Sequence, residues 1–139
     1  MSKRIGIVGG IGSVSTIEYY SRIIRKYQER NNDWNYPEII IYSLSHGRFK
    51  KYEDDKNIDG YVEYIMQSIE ALEMAKVDFI AFAANSPHMV LEQVQSKIKV
   101  PIISALESAL NKAKELQFKK ALLMGIKFTM QSNFFQKRF

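Results

Sequence analysis

Three polar side chains that could contact a ligand follow directly after an apolar run at residues 77–84. They are Asn85, Ser86 and His88. An amide and a hydroxyl can hydrogen-bond a small polar molecule, and an imidazole can exchange a proton near neutral pH. The run suits a strand buried on both faces, and Ser86 before Pro87 is a typical helix start. Because ligands bind at the carboxyl ends of strands in open parallel sheets, we predict a binding site here.

The same residues also have a purely structural interpretation. Periodicity alone does not separate a short buried strand from a buried helix segment. Asn85 and Ser86 could serve only to turn the chain and cap the next helix. His88, placed in that helix, would more often pack or hydrogen-bond than act as a base.

A second candidate segment is the glycine turn, Gly9-Gly10-Ile11-Gly12, which follows a short apolar run at residues 4–8. Glycines let backbone N–H groups approach a ligand, and the start of the next helix favours an anion. The turn departs from the dinucleotide fingerprint, because Ser15 stands where a third glycine would be and no acidic residue ends the second strand. We favour a cradle for a carboxylate or small anion over nucleotide binding, and a tight turn without a ligand is the alternative.

Arg48 is the third candidate, within a polar segment at residues 44–58 that shows no clear apolar repeat. We predict a long loop here, and loops of this length are often functional. A guanidinium can bind a carboxylate through two parallel hydrogen bonds. The alternative is a solvated basic loop.

Strands and helices alternate along the chain in a way that positions these residues. The patterns predict strands at 4–8, 37–43, 77–82, 100–103 and 120–124, and helices at 15–29, 59–76, 87–97, 105–116 and 130–137. The alternation predicts an α/β fold with a four-stranded parallel sheet, helices on both faces and right-handed connections. The fifth strand and last helix look like the opening of a second, truncated domain. We therefore divide the chain into residues 1–116 and 117–139.

The composition of the chain narrows the classes of function. The 139 residues carry a net charge of +5 and include no cysteine. Disulfides, thiolate metal sites and cysteine nucleophiles are therefore excluded for this sequence. The basic residues are mostly scattered, which favours a solvated surface over nucleic-acid binding. With no long apolar stretch and no signal-like start, we expect no membrane segment and a cytoplasmic location.

Several motifs, taken together and in order, resemble the aspartate/glutamate racemase family, in particular its aspartate-racemase branch. The matching stretches are residues 5–12 with 15–16 and 18–20, residues 40–43, 79–88 and 100–103, and residues 122–125 with 128–130. The resemblance implies a fold of two pseudo-symmetric α/β domains, a dimer, an active-site cleft between the domains and no cofactor. It covers what looks like the N-terminal portion of such a protein.

The resemblance also implies a reaction, the exchange of a proton at the α-carbon of an acidic amino acid. Two bases flank that carbon, and thiols suit the task because their pKa is moderate. The positions that the resemblance assigns to substrate binding are Gly10, Ser15, Thr16, Arg48, Asn85 and Ser86. No metal is implied.

Two departures from the family pattern bear on activity. The position assigned to the first catalytic cysteine is Ala83, whose methyl group cannot carry a proton. The sequence also ends before the motif that would supply the second cysteine. We therefore expect this polypeptide to be inactive. The alternatives are a non-catalytic module that binds carboxylates, and an assembly role in which Phe134, Phe135 and Phe139 contact a second copy or another chain.

Overall fold

The fold is built on one parallel sheet. The computed structural model describes residues 3–31 and 33–138, apart from the side chain of Phe128. The strands are β1 (Ile5–Gly9), β2 (Ile39–Ser43), β3 (Phe79–Phe82) and β4 (Ile102–Ile103). Their order across the sheet is β2-β1-β3-β4, and every pair is parallel. The predicted α/β fold with a four-stranded parallel sheet is confirmed.

Helices connect the strands. They are α1 (Ser13–Asn31), α2 (His46–Asp54), α3 (Ile58–Met74), a 3₁₀ helix (Ser86–Val90), α4 (Leu91–Gln95), α5 (Ala105–Glu115) and α6 (Lys127–Gln131). The strand order sends the β1–β2 and β2–β3 connections in opposite directions across the sheet, so the right-handed rule requires α1 and α3 to lie on opposite faces. Ser104 caps α5 by accepting a hydrogen bond from the Glu107 N–H, directly before the predicted start of this helix at residue 105. Asn57 caps α3 two residues before the predicted start of that helix at residue 59.

The core lies between α3 and the sheet. Ile65, Ile69 and Leu72 of α3 are at most 1% exposed. Gly6 in β1 allows this close packing, because a Cβ there would lie 3.1–3.3 Å from Val77, Ile80 and Leu72. The apolar residues that recur along α3 thus pack in the core, although Met74 at the end of the helix is 84% exposed. On the other face α1 buries little, and its only buried side chain is Thr16.

The predicted loop at residues 44–58 is wrong, because α2 occupies most of it. Two aromatic side chains hold this helix to the protein. Phe49 is 1% exposed, and its ring centroid lies 4.5 Å from that of Tyr61. Tyr52 is half-buried, and its ring centroid lies 5.9 Å from that of Tyr64. The exposed face carries two lysine–aspartate ion pairs at i,i+4 spacing. A helix with only two apolar anchors leaves a weak periodic signal, which explains the error.

The predicted fifth strand and the bounds of the last helix are also wrong. Residues 119–124 form no strand, and Leu122 and Met124 are 85% and 77% exposed. A strand needs a neighbour to pair its backbone groups, and no other described strand lies beside this segment. The last helix of the described residues is α6, which begins three residues before the predicted start at residue 130 and has Thr129 buried inside it.

Two further differences concern the ends of elements. The predicted helix at residues 87–97 is divided into the 3₁₀ helix and α4, and Ser86 makes no capping hydrogen bond. Phe134 and Phe135 are half-buried and pack on each other, with ring centroids 4.9 Å apart, so they do not form the exposed aromatic surface that an assembly role needs. Phe139 lies outside the described residues.

Candidate functional site

Three segments meet at the carboxyl edge of the sheet. Val8 pairs with Phe82 and Gly9 pairs with Ser43, so the chain leaves β1, β2 and β3 at the same edge. Strand β1 has β2 on one side and β3 on the other. The chain runs from β1 to β2 on one side and from β3 to β4 on the other, so these two connections leave the sheet in opposite directions. Such a switch point forms a crevice where ligands bind in open α/β sheets. The structure thus brings together the glycine turn and the residues that follow β3.

Thr16 holds the glycine turn in place. The buried Thr16 hydroxyl accepts a hydrogen bond from the Gly10 N–H at 3.0 Å and donates one to the Gly12 carbonyl at 3.3 Å. Gly10 has a φ of +81°, and a Cβ there would lie 2.1 Å from the Leu44 carbonyl oxygen. Thr16 and the Gly10 N–H were both predicted to contact substrate. Each already has a partner inside the protein, so their role in the described structure is to shape the turn.

The first turn of α1 offers the groups that remain for a ligand. The N–H groups at the start of a helix have no partner within it, and the helix dipole makes this end positive. Ser15 is exposed in this turn, and no hydrogen bond of its side chain occurs within the described part of the chain. A carboxylate placed here would meet N–H donors and a hydroxyl. The prediction of an anion cradle is consistent with this geometry, with Ser15 as its side chain.

The residues that follow β3 differ in their exposure to solvent. Ala83 is 1% exposed, and its N–H donates to the Val8 carbonyl at 3.0 Å. Ala84 is half-buried, Asn85 is exposed and Ser86 is buried. A side chain at position 83 therefore points into the protein, and position 84 is the first alanine with access to the edge of the sheet. Sequence patterns could not show this, because they do not locate the last residue of a strand.

His88 links the 3₁₀ helix to α5. Its Nε2 accepts a hydrogen bond from the Ala105 N–H at 3.1 Å, and its Nδ1 lies 3.2 Å from the Asn85 carbonyl oxygen. The ring is therefore neutral with its hydrogen on Nδ1. Burial lowers the pKa of His88, and its ring packs edge-on against Phe82. Both nitrogens serve structural contacts, which is the packing role that the sequence favoured.

A cavity of about 690 Å³ opens beside Ser86. One face of α2, at i, i+4 and i+7 spacing, contributes His46, Lys50 and Glu53 to its lining, together with Ile11 of the glycine turn. The sequence does not indicate these α2 residues as site residues, because its pattern predicts a loop there. A second cavity, of about 710 Å³, lies between the 3₁₀ helix and residues 131–138. We assign the candidate site to the first cavity, because it alone combines Ser86 with the glycine turn.

Arg48 lies on a different face of α2. Its guanidinium carbon is 4.5 Å from the centroid of the Tyr64 ring, and one of its N–H groups donates to the Tyr52 hydroxyl at 3.5 Å. This hydrogen bond raises the pKa of Arg48. The structure therefore does not bring Arg48 to the cavity that Ser86 lines. Lys50, Lys56 and Lys127 line that cavity instead, and Lys50 is paired with Asp54.

Within residues 3–31 and 33–138, no group of three or more His, Cys, Asp or Glu side chains could hold a metal ion. No helix in that part of the chain is long and apolar enough to cross a membrane. The fold and the site together define an α/β protein with a candidate ligand site at the switch point of its sheet.

Comparison with known proteins gives the family. The family described as Asp/Glu/hydantoin racemase matches residues 8–139. The chain is 32% identical to the broad specificity amino-acid racemase RacX of Bacillus subtilis (strain 168), over 96% of this chain and 59% of that protein. The chain belongs to the Asp/Glu/hydantoin racemase family, as its motifs indicated.

Solved structures agree with this assignment. PH1733 of Pyrococcus horikoshii OT3, an aspartate racemase homologue, is 34% identical with a TM-score of 0.86, over 98% of this chain and 61% of that one. A candidate Asp/Glu racemase from Yersinia pestis shares the fold with a TM-score of 0.92 at 21% identity, and the match covers 59% of it. The chain thus spans about 60% of the length of these relatives.

Proposed function

We propose that this chain provides the substrate-binding floor of an amino-acid racemase, and that the substrate is an acidic amino acid such as aspartate or glutamate. One observation carries the proposal: the glycine turn after β1 and Asn85–Ser86 after β3 lie side by side at the switch point. Membership of the racemase family supports it. In this proposal Ser15 and the first turn of α1 bind a carboxylate, and Asn85 and Ser86 bind the amino-acid head group.

We further propose that the 139-residue polypeptide does not racemise its ligand by itself. Racemisation needs a group that removes the α-proton and another that returns one to the opposite face. The resemblance assigns both tasks to thiols, and the sequence contains no cysteine. Neither Ala83 nor its half-buried neighbour Ala84 can carry a proton. His88, whose two nitrogens are engaged, does not replace them.

A racemisation assay tests this proposal. The purified chain is incubated in D₂O with L- and D-aspartate and with L- and D-glutamate. Chiral chromatography then measures inversion, and ¹H NMR measures deuterium at the α-carbon. We expect both rates to equal those without protein. Because RacX is described as a broad specificity racemase, neutral amino acids belong in the same assay. Enzyme-catalysed inversion or exchange with any of them would overturn the claim of inactivity.

Two cysteine variants test which position after β3 faces the site. Ala83 is 1% exposed and Ala84 is half-buried. Ala84→Cys should therefore react with a thiol reagent such as DTNB much faster than Ala83→Cys, and both should react at the same rate once unfolded in urea. The resemblance assigns position 83 to the family's first cysteine. Faster reaction at position 83 would show that this position is the accessible one, and it would contradict the burial of Ala83 in the structure.

Binding without chemistry is the second candidate function, and the unpaired donors at the start of α1 favour it. Calorimetry with aspartate, glutamate, succinate and sulfate tests it. A site formed by one wall should bind with a dissociation constant on the order of 1 mM, which corresponds to about −4 kcal/mol. Ser15→Ala should weaken binding, whereas Arg48→Gln should not, because the Arg48 guanidinium is engaged with Tyr52 and Tyr64. Micromolar binding would favour a stand-alone binding module over an incomplete enzyme.

We also propose that the chain forms a homodimer through α1. Val14, Ile17 and Tyr20 recur every three residues on one face of α1 and are 77%, 64% and 46% exposed. An exposed apolar face of this kind usually marks an interface. Sedimentation velocity should show a dimer that Ile17→Lys dissociates, while the control Trp34→Lys, at a residue 90% exposed outside α1, leaves it intact. A monomer at all concentrations would exclude the dimer.

The cytoplasmic location stays a prediction, which cell fractionation can test.

A further inference from the structure

Two buried polar atoms in the candidate site have no hydrogen-bond partner. They are Oε1 of Glu53 and the hydroxyl oxygen of Tyr61, and both belong to the described part of the chain. Tyr61 as a whole is 1% exposed. Buried polar atoms in native proteins are nearly always paired, so an unpaired one calls for an explanation. Two such atoms in one place suggest that a group from outside the chain completes them.

Ser86 connects these two atoms to the cavity. Glu53 and Ser86 line the cavity of about 690 Å³, and Tyr61 lies behind them with its ring against Phe49. Burial raises the pKa of both Glu53 and Tyr61, whereas the nearby Ser86 hydroxyl lowers the pKa of both groups. The three oxygen atoms therefore lie close together at one wall of the site, although Glu53 Oε1 and the Tyr61 hydroxyl have no partner with hydrogen-bond geometry.

The chemistry of this wall matches an ammonium group. An ammonium group has three N–H donors and no acceptor, and the wall offers three oxygen acceptors, one of them on a carboxylate. A ligand carboxylate at the same place would meet a group of its own charge. The cavity is also lined by Lys50, Lys56 and Lys127, and Lys50 is paired with Asp54. A ligand that carries both an ammonium group and a carboxylate therefore meets a group of opposite charge for each of them on this lining.

We propose that Glu53 and Ser86, with Tyr61 behind them, bind the α-ammonium group of the ligand, so that the site selects amino acids over dicarboxylates that lack an amine. The proposal rests on the proposed function for the identity of the ligand, and it assigns to Glu53 a role in specificity. Glu53 attracts the ammonium charge, Ser86 supplies the neighbouring acceptor, and Tyr61 closes the wall from behind.

NMR of the glutamate side-chain carboxyl carbons tests the proposal directly. The chain is labelled with ¹³C at these carbons, and the Glu53 signal is assigned by its loss in Glu53→Gln. L-aspartate, succinate and methylammonium chloride are then added in separate titrations. We expect the Glu53 signal to shift with L-aspartate and methylammonium and to stay in place with succinate. A shift of the same size with succinate, or no shift with either amine, overturns the proposal.

Variants provide an independent measurement of selectivity. Glu53→Gln keeps the shape of the side chain and removes its charge, so L-aspartate should bind about tenfold more weakly while succinate binding is unchanged or tighter. Tyr61→Phe should lower the preference for L-aspartate in the same direction. The control Asp55→Asn removes a charge at the end of α2 that is paired with Lys51, and it should leave the preference unchanged. Equal losses in Glu53→Gln and Asp55→Asn would show an effect of net charge and overturn the proposal.

The two proposals fail in different ways. If L-aspartate and succinate bind equally well to the unaltered chain, the role of Glu53 is refuted while the carboxylate cradle stands. If neither carboxylate binds, the proposed function fails, and the methylammonium titration alone then decides whether Glu53 binds an amine.

Discussion

The hydrogen bond between Thr16 and the glycine turn yields a sharp stability prediction. Thr16→Val keeps the size and shape of the side chain but leaves the buried Gly10 N–H without an acceptor. An unpaired buried donor costs about 1–3 kcal/mol. At about 3–4 °C per kcal/mol for a domain of this size, the unfolding midpoint should fall by roughly 3–12 °C. Thr16→Ser keeps the hydroxyl and loses one methyl group, which costs about 1 kcal/mol.

Urea unfolding followed by circular dichroism measures the free energy of unfolding, and amide hydrogen exchange reports on Gly10 itself. We expect the Gly10 N–H to be protected in the unaltered chain and in Thr16→Ser, and to exchange much faster in Thr16→Val. The exchange comparison separates the lost hydrogen bond from the lost methyl group. A Thr16→Val protein as stable as the unaltered chain, with Gly10 still protected, would refute the idea that Thr16 holds the turn.

Three further predictions concern single residues. His88 has a lowered pKa in the folded state, so the unfolded chain binds a proton more readily below the usual value of 6.5. The contribution of His88 to stability should therefore be fully present above about pH 6.5 and should decline as the pH falls. Urea titrations at several pH values should show that His88→Gln is less stable overall and that its stability depends much less on pH. Gly10→Ala should fail to fold or lose more than about 3 kcal/mol in the same titration, because its Cβ would collide with the Leu44 carbonyl at a positive φ. Tyr61→Phe should be as stable as the unaltered chain or more so in thermal unfolding, since its hydroxyl has no partner; a large loss would reveal one.

Local patterns were sufficient for the main course of the chain. Short apolar runs bounded by turns predicted the four strands of the sheet, and the strong helical repeat of α3 predicted its place on the core. The predicted start of α5 at residue 105 agrees with the structure, in which Ser104 caps this helix. The meeting of the glycine turn with Asn85 and Ser86 followed from the rule that parallel strands present their carboxyl ends at one edge.

Errors arose where a contact distant in sequence decides the structure. Helix α2 is held by the packing of Phe49 on Tyr61, twelve residues later, and this contact has no local signature. The fifth strand has the composition of a strand, but a strand forms only when a neighbour pairs its backbone. The bounds of α6 differ for the same reason, because burial of Thr129 is set by what the segment packs against.

The amino-acid sequence by itself determined the class of fold, the edge of the sheet at which the candidate site lies and the lack of thiol groups in these 139 residues, because these depend on residue types and on periodicity. Only the tertiary structure decided what each side chain at that edge does. It buried Ala83, gave the Thr16 hydroxyl to the glycine turn and turned Arg48 towards Tyr64. It also placed Glu53 beside Ser86, through a helix that the sequence did not reveal. Orientation and burial depend on neighbours that are far apart along the chain, and only folding brings those neighbours together.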